Sequence, residues 1–148
     1  RLASAWLADR IGRRWTMFSF GLIGALGAVI VAFSAHWETS WIIFFTGICI
    51  TMGFGDGAFG ILNAFGGEQF PNDARGTGLG LGYGIGAIAK IVGPLLMGAM
   101  IGSDNLKELA HPLAAVFPAF LFFAAMLALG GFVYMLARET KGEVLEDI

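Results

Sequence analysis

Charge is scarce in this chain: only 14% of its 148 residues are Asp, Glu, Lys or Arg, whereas a soluble domain carries about 25%. Cys49 is its single cysteine, which excludes a disulfide framework. Neither His36 nor His111 stands beside the paired acids or the metal-ligand cluster that a membrane enzyme would need, so we expect no enzyme, no metal site and no cofactor. The net charge of -2 gives no reason to expect a nucleic-acid partner.

Apolar residues make up 57% of the chain, and its mean hydropathy is +0.75. Crossing a bilayer takes about 20 mostly apolar residues, and four stretches are long enough: 16–35, 39–67, 76–103 and 112–137. Asp56 interrupts the second stretch and Lys90 the third. Backbone that faces lipid must satisfy its own hydrogen bonds. We therefore predict an all-α, polytopic transmembrane helical bundle.

The orientation in the membrane is predicted from the lysines and arginines, which concentrate on the cytoplasmic side of membrane proteins. In the four-span arrangement Lys107 falls on one side of the membrane and seven basic residues fall on the other: Arg1, Arg10, Arg13, Arg14, Arg75, Arg138 and Lys141. We therefore expect residues 8–15 to form a cytoplasmic loop and residues 138–148 a cytoplasmic tail. The predicted location is the plasma (inner) membrane, with a multi-pass chain and a cytoplasmic C-terminus.

Glycine is frequent, with 23 residues. In the third stretch, Gly76, Gly80 and Gly84 recur every four residues, as do Gly78, Gly82 and Gly86. Such small-residue stripes let the backbones of neighbouring membrane helices approach closely. The glycines therefore predict helix packing.

Three segments of the predicted cytoplasmic side carry a family resemblance. Residues 9–14 read DRIGRR, residues 68–78 contain E-x-F-P-x-x-x-R-G-x-G, and residues 139–142 read ETKG. These motifs, in this order and spacing, resemble the C-terminal half of the major facilitator superfamily. Within it, the chain is similar to the metabolite:proton symporters, the aromatic-acid:proton symporters and the sugar porters.

The resemblance implies the last four spans of a twelve-helix fold, with residues 1–7 ending a preceding span. On this interpretation residues 1–148 are the C-terminal part of a transporter, and the missing N-terminal half is a necessary partner. The resemblance also implies that charged groups at the helix ends form a cytoplasmic gate network: Asp9, Arg10, Arg13, Arg14, Glu68, Arg75 and Glu139. The alternative is that the arginines only set the topology.

Two charged residues inside spans are the strongest indications of a transport site. A charge at mid-bilayer costs on the order of 2.5–3.5 kcal/mol on insertion scales, so it usually faces a cavity or a partner. Lys90 lies near the middle of its span, on a helical face with Tyr83 and Pro94. We expect Lys90 to bind the carboxylate of a substrate, with Tyr83 and Asn63 as further substrate-binding candidates.

Asp56 is the candidate for proton coupling, because an apolar span favours the neutral form of a carboxyl group. A structural ion pair between neighbouring helices is the alternative for both Asp56 and Lys90. The expected activity is secondary active transport: proton-coupled symport of a small organic acid or related metabolite, by alternating access in the lipid bilayer. A sugar or polyol porter is the alternative within the family, and a non-transporting scaffold or sensor is the alternative outside it.

Overall fold

The computed structural model describes residues 2–102 and 114–142. Within them the chain is entirely helical, in this order: α1 (Leu2–Ile11), α2 (Arg13–His36), α3 (Trp41–Ile50), a π-helical turn (Thr51–Asp56), α4 (Phe59–Gly67), α5 (Arg75–Ile101), a 3-10 turn (Ala114–Val116) and α6 (Phe117–Tyr134). The described part contains no β-strand, which confirms the predicted all-α class.

Four helical segments are long and apolar enough to cross a membrane: Arg13–His36, Trp41–Gly67, Arg75–Ile101 and Phe117–Tyr134. The segment 8–15, expected to be a loop because of its charges, is helical except at Gly12. Charged side chains at a helix end do not break the helix, whereas Gly12 adopts a φ of 106° that glycine tolerates far better than other residues. The break between α1 and α2 is therefore a single residue.

α2 is the central helix and packs against α6, α3 and the π-helical turn. Small residues make these crossings close. A Cβ built on Gly21 would lie 3.0 Å from Cα of Gly131, and a Cβ on Gly27 would lie 2.7 Å from the amide nitrogen of Thr51. Close backbone approach at glycine is a common way for membrane helices to associate.

α5 lies at the edge of the bundle. None of its residues is buried, and a Cβ added to Gly80, Gly82, Gly84 or Gly86 would meet no atom of another described helix within 4 Å. Gly78 is different, because it packs against the ring of Phe70. Within the described residues, the close helix crossings at glycine are thus those of α2. Most of the α5 glycines, which were predicted to pack against another helix, are uncovered.

An apolar core supports one end of the bundle. Ala8 of α1, Met17 of α2, and Ile61 and Phe65 of α4 are buried together, and Tyr134 of α6 packs against them. Burial of apolar side chains stabilises this contact between four helices. The core holds the last turn of α1, the first turns of α2 and the last turns of α4 and α6 beside one another, and the charged segments follow from these helix ends.

Candidate functional site

The carboxylate of Glu139 lies at the N-terminus of α2. Its Oε1 accepts a hydrogen bond from the backbone N–H of Arg13 at 2.9 Å, and its Oε2 accepts one from Arg14 at 3.2 Å. The first N–H groups of a helix lack partners within the helix, and the helix dipole favours a negative charge there. Glu139 therefore caps α2 from a distant part of the chain.

Gly12 makes this capping possible. A Cβ on Gly12 would lie 2.7 Å from Oε2 of Glu139, so a larger residue would displace the carboxylate. Oε1 of Glu139 also accepts hydrogen bonds from the amides of Thr140 and Lys141, both at 3.2 Å. One carboxylate thus organises the first turn of α2 and its own segment.

Glu68, at the end of α4, contacts both of the other motif segments, Arg13 in 9–14 and Thr140 in 139–142. Its Oε2 lies 2.8 Å from Nε of Arg13, an ion pair without the alignment of a hydrogen bond. The hydroxyl of Thr140 donates a hydrogen bond to the same oxygen. Glu68 and Thr140 are buried, at 8% and 2% exposure. An ion pair with one partner this buried is screened less by salt than a surface pair.

Three basic side chains cap the carbonyl ends of helices. Nη1 of Arg14 donates to the carbonyl of Met135 at 3.3 Å, just after α6, and Nε of Arg75 donates to the carbonyl of Gly67 at 2.9 Å, at the end of α4. The ammonium of Lys141 donates to the carbonyl of Arg10 in α1. Cations are favourable at the negative ends of helix dipoles.

Gln69 pairs with the backbone of the segment that follows α6. Its Nε2 donates to the carbonyl of Arg138 at 2.9 Å, and its Oε1 accepts from the Arg138 amide at 3.1 Å. Gln69, Thr140 and Lys141 were not among the residues predicted for the gate network. All three lie inside the motifs that carried the resemblance. Gln69 and Thr140 are neutral, and Lys141 entered the prediction only as a charge that sets the orientation.

Asp9 and Arg10 lie at the edge of this group of contacts. Oδ1 of Asp9 is 3.5 Å from Nη1 of Arg13, and its side chain is 71% exposed. The guanidinium of Arg10 lies over the ring of Trp6, 4.2 Å from its centroid, a cation–π arrangement. We define the helix-end cluster as the seven predicted network residues together with Gln69, Thr140 and Lys141.

Two arginines in the helix-end cluster have unused donors. Nε of Arg14 and Nη2 of Arg75 are buried without a hydrogen-bond partner in the described part of the chain. Buried donors of this kind are destabilising. The cluster therefore has the capacity to form further hydrogen bonds when its surroundings change.

The residues predicted for substrate and proton binding lie elsewhere, within the spans. Asn63 lies in α4, Tyr83 and Lys90 lie in α5, and Asp56 ends the π-helical turn. All four side chains are exposed. In the part of the chain that the structure describes, no group of three His, Cys, Asp or Glu side chains is arranged to hold a metal ion.

Four apolar spanning helices and a charged cluster at their ends define a multi-pass membrane protein. The particular family follows from the comparison with known proteins: the chain belongs to the Major Facilitator Superfamily, whose model matches residues 1–147. It is 30% identical to the niacin transporter NiaP of Acinetobacter baylyi over 99% of the chain and 31% of that protein. No solved structure gives a significant match.

Other relatives carry different substrate names. The chain is 28% identical to the benzoate transport protein of Acinetobacter baylyi, over 81% of the chain and 25% of that protein. It is 29% identical to the organic cation/carnitine transporter 7 of Arabidopsis thaliana, over 99% of the chain and 27% of that protein. All three relatives are named as transport proteins. The chain spans between a quarter and a third of the length of these relatives.

Proposed function

We propose that this chain is the C-terminal part of a secondary transporter that moves a small organic acid together with protons by alternating access. The observation that carries the proposal is the convergence of three separate segments, 9–14, 68–75 and 138–141, on one helix-end cluster. Alternating access requires contacts that hold helix ends together in one state and separate in the other. The helix-end cluster supplies such contacts.

The strength of these contacts suits a gate. An exposed ion pair contributes only about 0–1 kcal/mol, and a helix cap about 0.5–2 kcal/mol. Several of them acting together match the few kcal/mol that separate two conformations of a switching protein. The proposed role of the seven network residues, from Asp9 to Glu139, is therefore to favour the state that is closed on the cytoplasmic side.

The proposed substrate is a carboxylate. Relatives named for niacin and benzoate support this class, and carnitine, named for a further relative, also carries a carboxylate. Lys90 supplies the matching charge halfway along α5, where an ammonium is costly unless it faces a cavity or a partner. Tyr83 and Asn63 are the proposed hydrogen-bonding groups, and Asp56 is the proposed proton carrier. The remainder of the site would come from the part of the transporter outside this chain.

A pair of substitutions at Lys90 tests the substrate class in the full transporter. Removing a buried charge partner costs on the order of 2–5 kcal/mol, so Lys90→Ala should weaken uptake of benzoate or niacin by about tenfold or more. Lys90→Arg keeps the positive charge and should retain more uptake. Undiminished uptake of every acid tried by Lys90→Ala, or uptake of a sugar or polyol instead, would contradict the proposed substrate class.

Proton coupling is tested separately at Asp56. Asp56→Asn removes the ionisable proton but keeps the shape of the side chain. We expect it to abolish accumulation driven by a pH gradient while exchange of substrate across the membrane continues. Gradient-driven accumulation that survives Asp56→Asn would exclude Asp56 as the proton carrier and favour a structural pairing.

The proposed location is the plasma (inner) membrane, with the C-terminus in the cytoplasm. A reporter that fluoresces only in the cytoplasm, fused after Ile148, should be bright, and a periplasmic phosphatase fused there should be inactive. The reverse result would place the helix-end cluster on the outer side and remove its proposed role as a cytoplasmic gate.

A further inference from the structure

The second candidate span, Trp41–Gly67, is interrupted by the π-helical turn Thr51–Asp56. Each N–H in a π-helix bonds five residues back, so the turn contains one residue more than an α-helical turn, and such turns occur frequently at functional sites. An α-helix advances about 100° per residue. Converting the turn to α-helix would therefore rotate Asp56, its last residue, by roughly that angle relative to α3.

Thr51 holds the first residue of this turn against α2. Its hydroxyl is buried and lies 2.9 Å from the carbonyl oxygen of Gly47 in its own helix and 3.3 Å from that of Gly24 in α2. Gly27 and Gly47 make the helix crossing so close at this point that neither has space for a Cβ. The Thr51 hydroxyl is therefore a polar contact between α2 and the start of the π-helical turn.

Ser4 of α1 holds the residue that follows the turn. Its hydroxyl, fully buried, donates a hydrogen bond to the carbonyl of Gly57 at 2.7 Å. That carbonyl also accepts from the Gly60 amide at 3.0 Å. A Cβ built on Gly57 would lie 3.0 Å from the ring of Phe20 in α2. The exit of the turn is thus fixed by both α1 and α2.

Asp56 lies between these two attachments. Its neighbours in sequence are held against the bundle, Gly55 by Gly24 of α2 and Gly57 by Ser4 of α1, while its own side chain is exposed. We propose that Thr51 and Ser4 are positioning residues that maintain the π-helical turn and so set the direction of the Asp56 carboxylate. This inference rests on the proposed proton-coupling role of Asp56 for its functional meaning.

α1 gives this arrangement a connection to the gate. Ser4 precedes Asp9 by five residues, or about 7.5 Å along a helix, and the α1 carbonyl of Arg10 accepts the Lys141 ammonium. Movement of α1 when the helix-end cluster separates would change the Ser4–Gly57 hydrogen bond. On this proposal the π-helical turn is the element that changes arrangement, and both ends of α1 would influence it.

Thiol labelling tests the positioning role without using the carboxyl group. The full transporter carries Asp56→Cys together with Cys49→Ser, and a membrane-impermeant maleimide reports the accessibility of position 56. A hydrogen bond biases a two-state equilibrium by about fivefold, so Thr51→Val and Ser4→Ala should each change the labelling rate by about that factor. Thr46→Val and Ser19→Ala are the matched controls, because their hydroxyls bond only within their own helices, and they should leave the rate unchanged.

A second arm keeps Asp56 and measures uptake against pH. Thr51→Val should shift the pH profile. Thr51→Ser keeps the hydroxyl and should retain the original profile. The Ser4→Ala variant provides the test if Thr51→Val fails to fold. Labelling rates equal to those of the controls in both Thr51→Val and Ser4→Ala would overturn the inference. A changed labelling rate with an unshifted pH profile would support the positioning role but contradict proton coupling at Asp56.

Discussion

At the scale of single residues, the charged groups of the helix-end cluster act mainly on helix ends. The carboxylate of Glu139 accepts backbone hydrogen bonds from Arg13 and Arg14, while Arg14 and Arg75 donate to carbonyls that close α6 and α4. The best-placed direct ion pair joins Arg13 to Glu68. The cluster therefore stabilises the ends of helices as much as it pairs opposite charges.

Glu139→Ala should destabilise the protein, because the first two amides of α2 would lose their acceptor. Loss of a helix cap costs about 0.5–2 kcal/mol, which should lower the Tm of the detergent-purified protein by several degrees. Asp73→Asn, an exposed acid on the loop before α5, is the control and should leave the Tm unchanged. Equal Tm values for Glu139→Ala and the wild type would contradict the capping role.

Gly12→Ala should be destabilising for two independent reasons. Its φ of 106° is strained for a residue with a Cβ, at a cost of about 1–3 kcal/mol, and that Cβ would meet the Glu139 carboxylate at 2.7 Å. Gly130→Ala is the matched control, because its Cβ position in α6 is empty and alanine favours a helix. Thermal unfolding of both variants should show a lower Tm for Gly12→Ala only. If the Tm of Gly12→Ala equals or exceeds that of Gly130→Ala, the described geometry at Gly12 is wrong.

The sequence predicted the members of the cluster better than their contacts. The motifs identified the segments that meet, because their basic residues placed them on one side of the membrane. The partner of Glu139 could not be predicted, since backbone amides are present at every position and only the three-dimensional approach selects two of them. Gln69 and Thr140 were missed for the same reason, because neutral side chains become specific only when their partners are known.

At the scale of helices, α2 is the organising element because glycine allows two neighbours to approach it closely. Gly27→Ala would place a Cβ 2.7 Å from the Thr51 backbone nitrogen, and overpacking of this kind costs typically about 1–3 kcal/mol. Gly53→Ala, in the π-helical turn with open space around its Cβ position, is the control. Thermal unfolding should show a lower Tm for Gly27→Ala alone; equal Tm values would mean that the α2–α3 crossing is looser than described.

The π-helical turn and the role of α2 could not be predicted from the sequence. The glycine stripes at a four-residue spacing predicted close packing for α5, but spacing reports only which residues share a face and not whether another helix covers that face. The glycines of α2 are spaced three apart, at Gly21, Gly24 and Gly27, and their partners lie on two different helices. A π-helical turn likewise depends on contacts such as Thr51 to Gly24, which no local pattern specifies.

At the scale of the whole molecule, the segments that meet in the helix-end cluster are far apart in the sequence but join the same ends of α1, α2, α4 and α6. The described bundle leaves α5 without buried residues and spans about a third of the niacin transporter it matches. Both facts fit the proposal that the chain works within a longer transporter, with the helix-end cluster as the proposed gate on one side and the proposed site within the spans.

The most direct test of the proposed gate is a reversible cross-link across the helix-end cluster of the full transporter. The variant carries Gln69→Cys, Arg138→Cys and Cys49→Ser. A disulfide between positions 69 and 138 would join the two segments that the Gln69 amide holds together. Oxidation should stop substrate uptake, and reduction should restore it, whereas a Ser34→Cys and Thr39→Cys cross-link at the other end of α2 should leave uptake intact. Uptake that continues at the normal rate with the 69–138 cross-link fully formed would contradict the gate.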